Sequence, residues 1–271
     1  MKIIEISGGL GNQLFIYIYY LYMKKKYNRE WIFTFFPRRH VRHNGFELTK
    51  WFDVQLYEPE WSKLVCFLFY WISRILRLIG LPVWFMRKNL TEKENVIFHE
   101  GYWQDKKYLN TLDVHSELKF KAFALSRMCQ QFLQEIQTMN SVAIHIRRGD
   151  FLKCPNLYGE ICTPVYYTKA LSKIKEKVKN PIFFVFSDDL DFAKSLLKKE
   201  SIVVVDCNRG ENSFFDMYLM SQCKNMILAN STFSYWAAIL NKNHPIVVCP
   251  DHWTNIDSPD IIMNEWITIK Q

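Results

Sequence analysis

From residue 141 to residue 249 the chain repeats one arrangement. A short apolar run rich in β-branched or aromatic residues ends abruptly in polar ones, and helical spacing separates it from the next. The runs are 142–146, 182–186 (IFFVF), 202–205 (IVVV), 226–229 (MILA) and 246–249 (IVVC), with helical patterns over about 164–178, 190–199, 213–223 and 232–241. Strands that alternate with helices pair in parallel, because each crossover must carry the chain back to the same end of the sheet. The fold expected is therefore α/β, with a doubly wound parallel sheet in the C-terminal half. The polar residues fall at the strands' carboxyl ends: His145–Asp150, Ser187–Asp189, Asp206–Asn208, Asn230–Ser234 and Asp251–His252. Ligands of such sheets bind outside those ends.

The most informative end is HIRRGDF. Arg147 and Arg148 stand side by side at the mouth of a buried strand, followed by Gly149 and Asp150. Unpaired buried charge is heavily penalised, and the planar guanidinium matches phosphate with paired hydrogen bonds. The pattern fits a diphosphate site or a surface Arg–Asp pair. Asn230, Ser231, Thr232 and Phe233 open a helix whose N-terminus is either an anion site or an ordinary cap. Together, the arginines and that helix end would neutralise a diphosphate without a metal. Asp188 and Asp189 suit the paired donors of guanine, or the positive end of the helix over 190–199. Asp189-Leu190-Asp191 also spells a metal-diphosphate motif, disfavoured because the arginines already supply the positive charge.

The N-terminal part opens on Ile3, Ile4 and Ile6, then SGGLGNQLF. A helix is expected from Asn12 or Gln13 to about Lys26, with Leu14, Phe15, Ile18, Leu21 and Tyr22 on its apolar side. Gly9-x-Gly11 allows close backbone approach to a phosphate or sugar, but Leu14 occupies the third glycine position of the dinucleotide fingerprint. Residues 31–35 and 96–98 read as strands. After the second, Glu100, Tyr102, Trp103 and Gln104 would form a wall for a sugar. Residues 37–47 read as a loop over a cleft or a solvated basic turn. A helix over 125–138 precedes the expected boundary at 139–141, dividing the chain into 1–140 and 141–271.

With 49% hydrophobic and 23% charged residues, the 271-residue chain can build globular cores. Its net charge of +8 suits an anionic small ligand or membrane surface. No zinc-finger spacing or aromatic RNA-binding signature supports nucleic acid. Seven cysteines without a C-x-x-C pair read as reduced thiols of a cytoplasmic protein. MKIIEIS reads as a strand and not a signal peptide. Residues 64–79 are strongly apolar but interrupted by Arg74 and Arg77. They fit a core helix and a basic helix lying on the cytoplasmic membrane face equally well.

GGLGNQLF, GYWQDKKYL, HIRRGDF, VFSDD and ILANSTFSYWAAIL, in this order, resemble the bacterial α-(1,2)-fucosyltransferases of glycosyltransferase family 11, across nearly the whole chain. The resemblance implies two Rossmann-like domains facing a cleft (GT-B-like), an N-terminal acceptor side and a C-terminal domain binding GDP-β-L-fucose. It implies transfer with inversion to O2 of a terminal galactose, with no metal or other cofactor. By the same resemblance Arg147 grips the diphosphate, Arg148 supports it, and His145 with Gly9, Gly11, Asn12 and Gln13 contributes to substrate binding. Tyr235 departs from the commoner tryptophan of the STFSWW pattern, and 160–167 is less typical. Candidates for the general base are Asp150, Glu160 and Glu100, in that order, with Asp150 paired to Arg148 as the alternative for the first. A different linkage, or a catalytically silent GDP-sugar-binding protein at a membrane, is the remaining alternative.

Overall fold

The computed structural model describes residues 1–27, 31–37, 44–83, 86–88 (as backbone) and 96–270. Most of the 37–47 loop and the Arg87 and Lys88 side chains lie outside the described residues. The chain divides into two compact units, Met1–Lys121 and Ala122–Gln271.

The first unit runs β1 (Lys2–Glu5), α1 (Leu10–Lys26), β2 (Ile32–Phe35), α2 (Leu48–Trp51), α3 (Glu60–Leu78), β3 (Met86–Lys88), β4 (Phe98–Glu100), α4 (Lys106–Leu109) and α5 (Val114–Glu117). Its sheet has the order β2-β1-β4-β3, with all neighbours parallel. Helix α1 starts at Leu10, earlier than expected. Gly8 turns the chain with φ +77°, and the Gly9 carbonyl already accepts from the Asn12 and Gln13 N–H groups at 2.9 and 3.0 Å. Nor does α1 have a single apolar side. Leu14 to Tyr20 are all buried, while Leu21 and Tyr22 are only half-buried.

The second unit runs α6 (Arg127–Thr138), β5 (Ser141–Ile146), α7 (Pro155–Tyr158), α8 (Pro164–Lys177), β6 (Ile182–Ser187), α9 (Leu190–Leu196), β7 (Ile202–Val205), α10 (Phe214–Gln222), β8 (Asn225–Ile227), α11 (Thr232–Ile239), β9 (Ile246–Pro250) and β10 (Ile267–Ile269). All its strand pairs are parallel, in the order β10-β9-β8-β5-β6-β7. From β5 the chain winds one way through β6 and β7, then the other way through β8, β9 and β10. The reversal lies between β5 and β8, and such a point leaves a crevice at the carboxyl ends of the two strands.

Side chains alternate across β5, as the pleat requires. Val142, Ile144 and Ile146 pack with Tyr166, Tyr167, Ile174 and Ala193 of α8 and α9. On the other face the Ser141 hydroxyl donates to the Ile136 carbonyl of α6 at 2.8 Å. Because α6 packs on β5 and α10, it belongs with the second unit. The division therefore falls at 121/122, ahead of α6, and not at 139–141 behind it. Strand β10 escaped the sequence reading because three residues are too few to show a period.

Candidate active site

At the reversal point two tyrosines of α8 hold two strand ends. The Tyr167 hydroxyl donates to the His145 carbonyl of β5 at 3.0 Å, and Tyr166 donates to the Leu228 carbonyl just past β8 at 2.5 Å. Burial pushes both phenols well above their usual range, so they stay protonated donors. Neither was singled out from sequence. The available signal was that buried tyrosines must find a partner for the hydroxyl.

Beyond β5, Asp188 organises the turn. Its Oδ1 accepts from the Arg148 N–H at 2.8 Å, and its Oδ2 accepts from the Gly149 N–H at 3.1 Å and pairs with Arg147 Nη1 at 3.1 Å. The other end of the Arg147 guanidinium, Nη2, pairs with Asp150 at 2.8 Å. Arg148 turns the opposite way: its Nε donates to Asp189 Oδ2 at 3.0 Å and its guanidinium lies 3.8 Å over the Phe192 ring. Asp189 Oδ1 meanwhile caps α9 by accepting from the Phe192 N–H at 3.1 Å. Gly149 is needed here because an added Cβ would sit 2.8 Å from Asp188 Oδ2.

Two sequence expectations change accordingly. Asp150 pairs with Arg147, not Arg148. Asp188 and Asp189 have a protein partner at every carboxylate oxygen, which favours positioning and capping over reading guanine. Asp191 lies exposed on the first turn of α9, apart from the Arg148–Asp189 pair. Among the described residues no three His, Cys, Asp or Glu side chains converge as metal ligands.

His145 is buried, and its Nδ1 has no hydrogen-bond partner among the described residues. Burial, reinforced by the Arg147 charge, pushes its pKa down to about 3, so the ring is neutral. The ring lies 6.0 Å from that of Phe233, in the first turn of α11, which ties the β5 end to the start of that helix. Ser231 caps α11 by accepting from the Phe233 N–H at 3.3 Å, and Asn230 donates to the Trp253 carbonyl at 3.1 Å. Thr232 is half-buried at the same helix end. Arg147 and the start of α11 thus follow neighbouring strands, β5 and β8, an arrangement suited to an anion.

Residues 81–270 match the family model described as Glycosyl transferase family 11. The chain belongs to glycosyltransferase family 11. It is 28% identical over an alignment of 291 residues to an alpha-1,2-colitosyltransferase of Escherichia coli, covering 98% of each chain. It is 30% identical to the O-antigen biosynthesis glycosyltransferase WbnK of Escherichia coli, over 62% of this chain and 59% of that one. Among solved structures, the NodZ alpha-1,6-fucosyltransferase soaked with GDP-fucose aligns over 92% of this chain and 94% of its own, with 15% identity and a TM-score of 0.46.

In this glycosyltransferase the N-terminal candidates take different roles from those expected. Gln13 is fully buried and uses both ends of its amide on the backbone. It donates to the Gly8 and Gly45 carbonyls and accepts from the Glu47 and Leu48 N–H groups. It therefore staples α1 to the start of α2, with no group left over for substrate. Gly9 caps α1 and Gly11 lies buried within its first turn. Asn12 accepts from Gln104 at 3.0 Å. Trp103 is buried, stacked 3.9 Å from Tyr19, so only Tyr102 presents an exposed ring beside Glu100. Glu100 itself pairs with Arg77 at 2.5 Å and Arg74 at 3.7 Å.

Proposed function

We propose that the enzyme transfers L-fucose from GDP-β-L-fucose to O2 of a terminal galactose in a glycan, with inversion and without a metal. The second unit would hold the donor and the first the acceptor, in a GT-B-like division of labour in the cytoplasm. The observation that carries this reading is the Asp188–Arg147–Asp150 chain at the end of β5, whose neighbour β8 leads into α11. As GDP leaves, negative charge grows on the β-phosphate, and preorganised positive groups there lower the barrier. Arg147, held at both ends, is such a group, and its orientation is set before the substrate arrives.

Inversion needs a base on the face opposite the leaving group. Asp150 ranked first from sequence, but its carboxylate is engaged by Arg147. Glu160 is exposed and held at φ +58°, a left-handed conformation that a non-glycine residue adopts only when its surroundings impose it. Glu160 therefore moves ahead of Asp150 for this role, with Glu100 third because two arginines already occupy it.

A second reading concerns the donor sugar, since the relative that aligns over 98% of the chain is a colitosyltransferase. Colitose is fucose without the C3 hydroxyl, so the same diphosphate grip would serve either donor. The test offers GDP-fucose and GDP-colitose with a panel of galactosides, reading product mass and anomeric configuration. An α-1,2-fucosylated galactoside is expected. Transfer of colitose alone would overturn the fucose assignment, and turnover of neither would overturn both.

A further inference from the structure

We propose that α3 docks the enzyme on an anionic lipid surface. An ordinary surface helix is apolar only where it meets the core; α3 packs Val65, Phe69, Trp71 and Leu76 against the core and is apolar on its outer side as well. The side chains it buries are Ser62, Cys66, Tyr70 and Ser73. Leu64, Phe67, Leu68, Ile72, Ile75 and Leu78 are 45–87% exposed, and Trp61 at the helix start is 51% exposed. Isolated exposed apolar residues are normal, but a continuous stripe along about 28 Å of helix, at 1.5 Å per residue, marks a surface that something covers. No described helix is long and apolar enough to cross a membrane. The stripe fits a helix lying flat, its apolar face sunk to the level of the acyl chains.

Charge selects the occupant. From Glu60 to Thr91 the sequence carries one acid, Glu60, which pairs with Lys63 at 2.6 Å, against five basic residues, Lys63, Arg74, Arg77, Arg87 and Lys88. The carboxylates that meet Arg74 and Arg77 come from the sheet, Glu5 of β1 and Glu100 of β4. The Lys63 side chain is 57% exposed and that of Arg74 36%. An apolar stripe in a segment with a net excess of cations complements phospholipid headgroups of negative charge. A second copy would fit less well, because a two-fold contact sets each patch against itself and would bring the excess of cations together.

The test measures co-sedimentation of the full chain with phosphatidylcholine vesicles with and without phosphatidylglycerol. Binding to the anionic vesicles is expected to be at least ~10-fold tighter and to weaken with salt. The triple variant Leu64→Ser, Leu68→Ser, Ile75→Ser should lose that binding at least ~10-fold while unfolding at the same temperature, since the three side chains face water. Independently of that variant, lipids brominated on the acyl chains should quench wild-type fluorescence, and Trp61→Phe should remove part of the quenching. Indifference of the wild type to anionic vesicles, unaltered binding by the folded triple variant, or quenching that ignores Trp61 would each overturn the proposal. A dimer that the triple variant converts to monomer would assign the face to a second copy instead.

Discussion

Asp188 and Arg147 form the central ion pair at the carboxyl end of the second unit's sheet, Oδ2 to Nη1 at 3.1 Å, although they follow different strands. The carboxylate is itself fixed by the amides of Arg148 and Gly149, so the guanidinium is oriented by a group that cannot easily turn. Replacing Asp188 by Asn would place an NH₂ group against donors. Transfer should fall ~10- to 100-fold in kcat/KM, in line with ~1–3 kcal/mol for a charge-assisted contact broken on one side. Arg147→Ala should cost more, ~2–4 kcal/mol, and should weaken GDP binding as well. Wild-type kinetics in Asp188→Asn would remove Asp188 from the positioning role.

Gly149→Ala tests the same turn by sterics alone. Its Cβ would fall 2.8 Å from Asp188 Oδ2, so the carboxylate must move and the two amides lose their acceptor. GDP affinity measured by calorimetry should drop ~10-fold with the fold retained, because the strain is confined to one turn. Unchanged affinity would mean that the turn adjusts without disturbing Arg147.

The base is identified by comparing conservative amide substitutions. Glu160→Gln should lower kcat by ~10²-fold or more and leave the Kd for GDP near its wild-type value. Asp150→Asn should weaken both together, since it releases one end of Arg147. A selective rate loss in Asp150→Asn and none in Glu160→Gln would restore the order read from sequence.

Transfer should continue in EDTA, because arginine and the helix end supply the positive charge in this reading. Loss of turnover in EDTA, restored by Mn²⁺, would instead support a metal held through Asp189 and Asp191.

Stability should depend on pH through Asp216, which is half-buried in α10 and accepts from Asn208 at 2.9 Å. Desolvation pushes its pKa up to about 7 from 3.8. The folded state thus holds this proton more tightly than the unfolded one, so its contribution to stability is greatest below about pH 4. That contribution declines as pH rises towards 7 and levels off above it, a change on the order of 4 kcal/mol at ~1.4 kcal/mol per unit. Asp216→Asn should flatten this slope and raise the melting temperature at pH 8, with little change at pH 4. An unaltered pH profile of thermal unfolding would place the titration elsewhere.

What local chemistry can encode was legible in the chain. Alternating apolar runs and helical spacing announced the parallel sheet of the second unit, and HIRRGDF announced where its charge would collect. A run of residues has its period whatever it later packs against, and two arginines at a strand end need an anion in any fold. Partners chosen by tertiary structure were not legible. The register that sets Ile146 against Ser187 carries Arg147 towards Asp188, so the arginine's main anchor is a residue distant in sequence. The neighbour Asp150, read as Arg148's partner, takes the other end of Arg147 because Arg148 is drawn away to Asp189 and Phe192. Gln13 lay in a motif that resembled a substrate loop, yet burial against Gly45, Glu47 and Leu48 made it a staple. For α3, periodicity showed an amphipathic helix without showing which face turned inward. That choice depended on the sheet it met, which took in Cys66 and Tyr70 with Val65, Phe69 and Leu76 beside them and left a second apolar stripe facing outward.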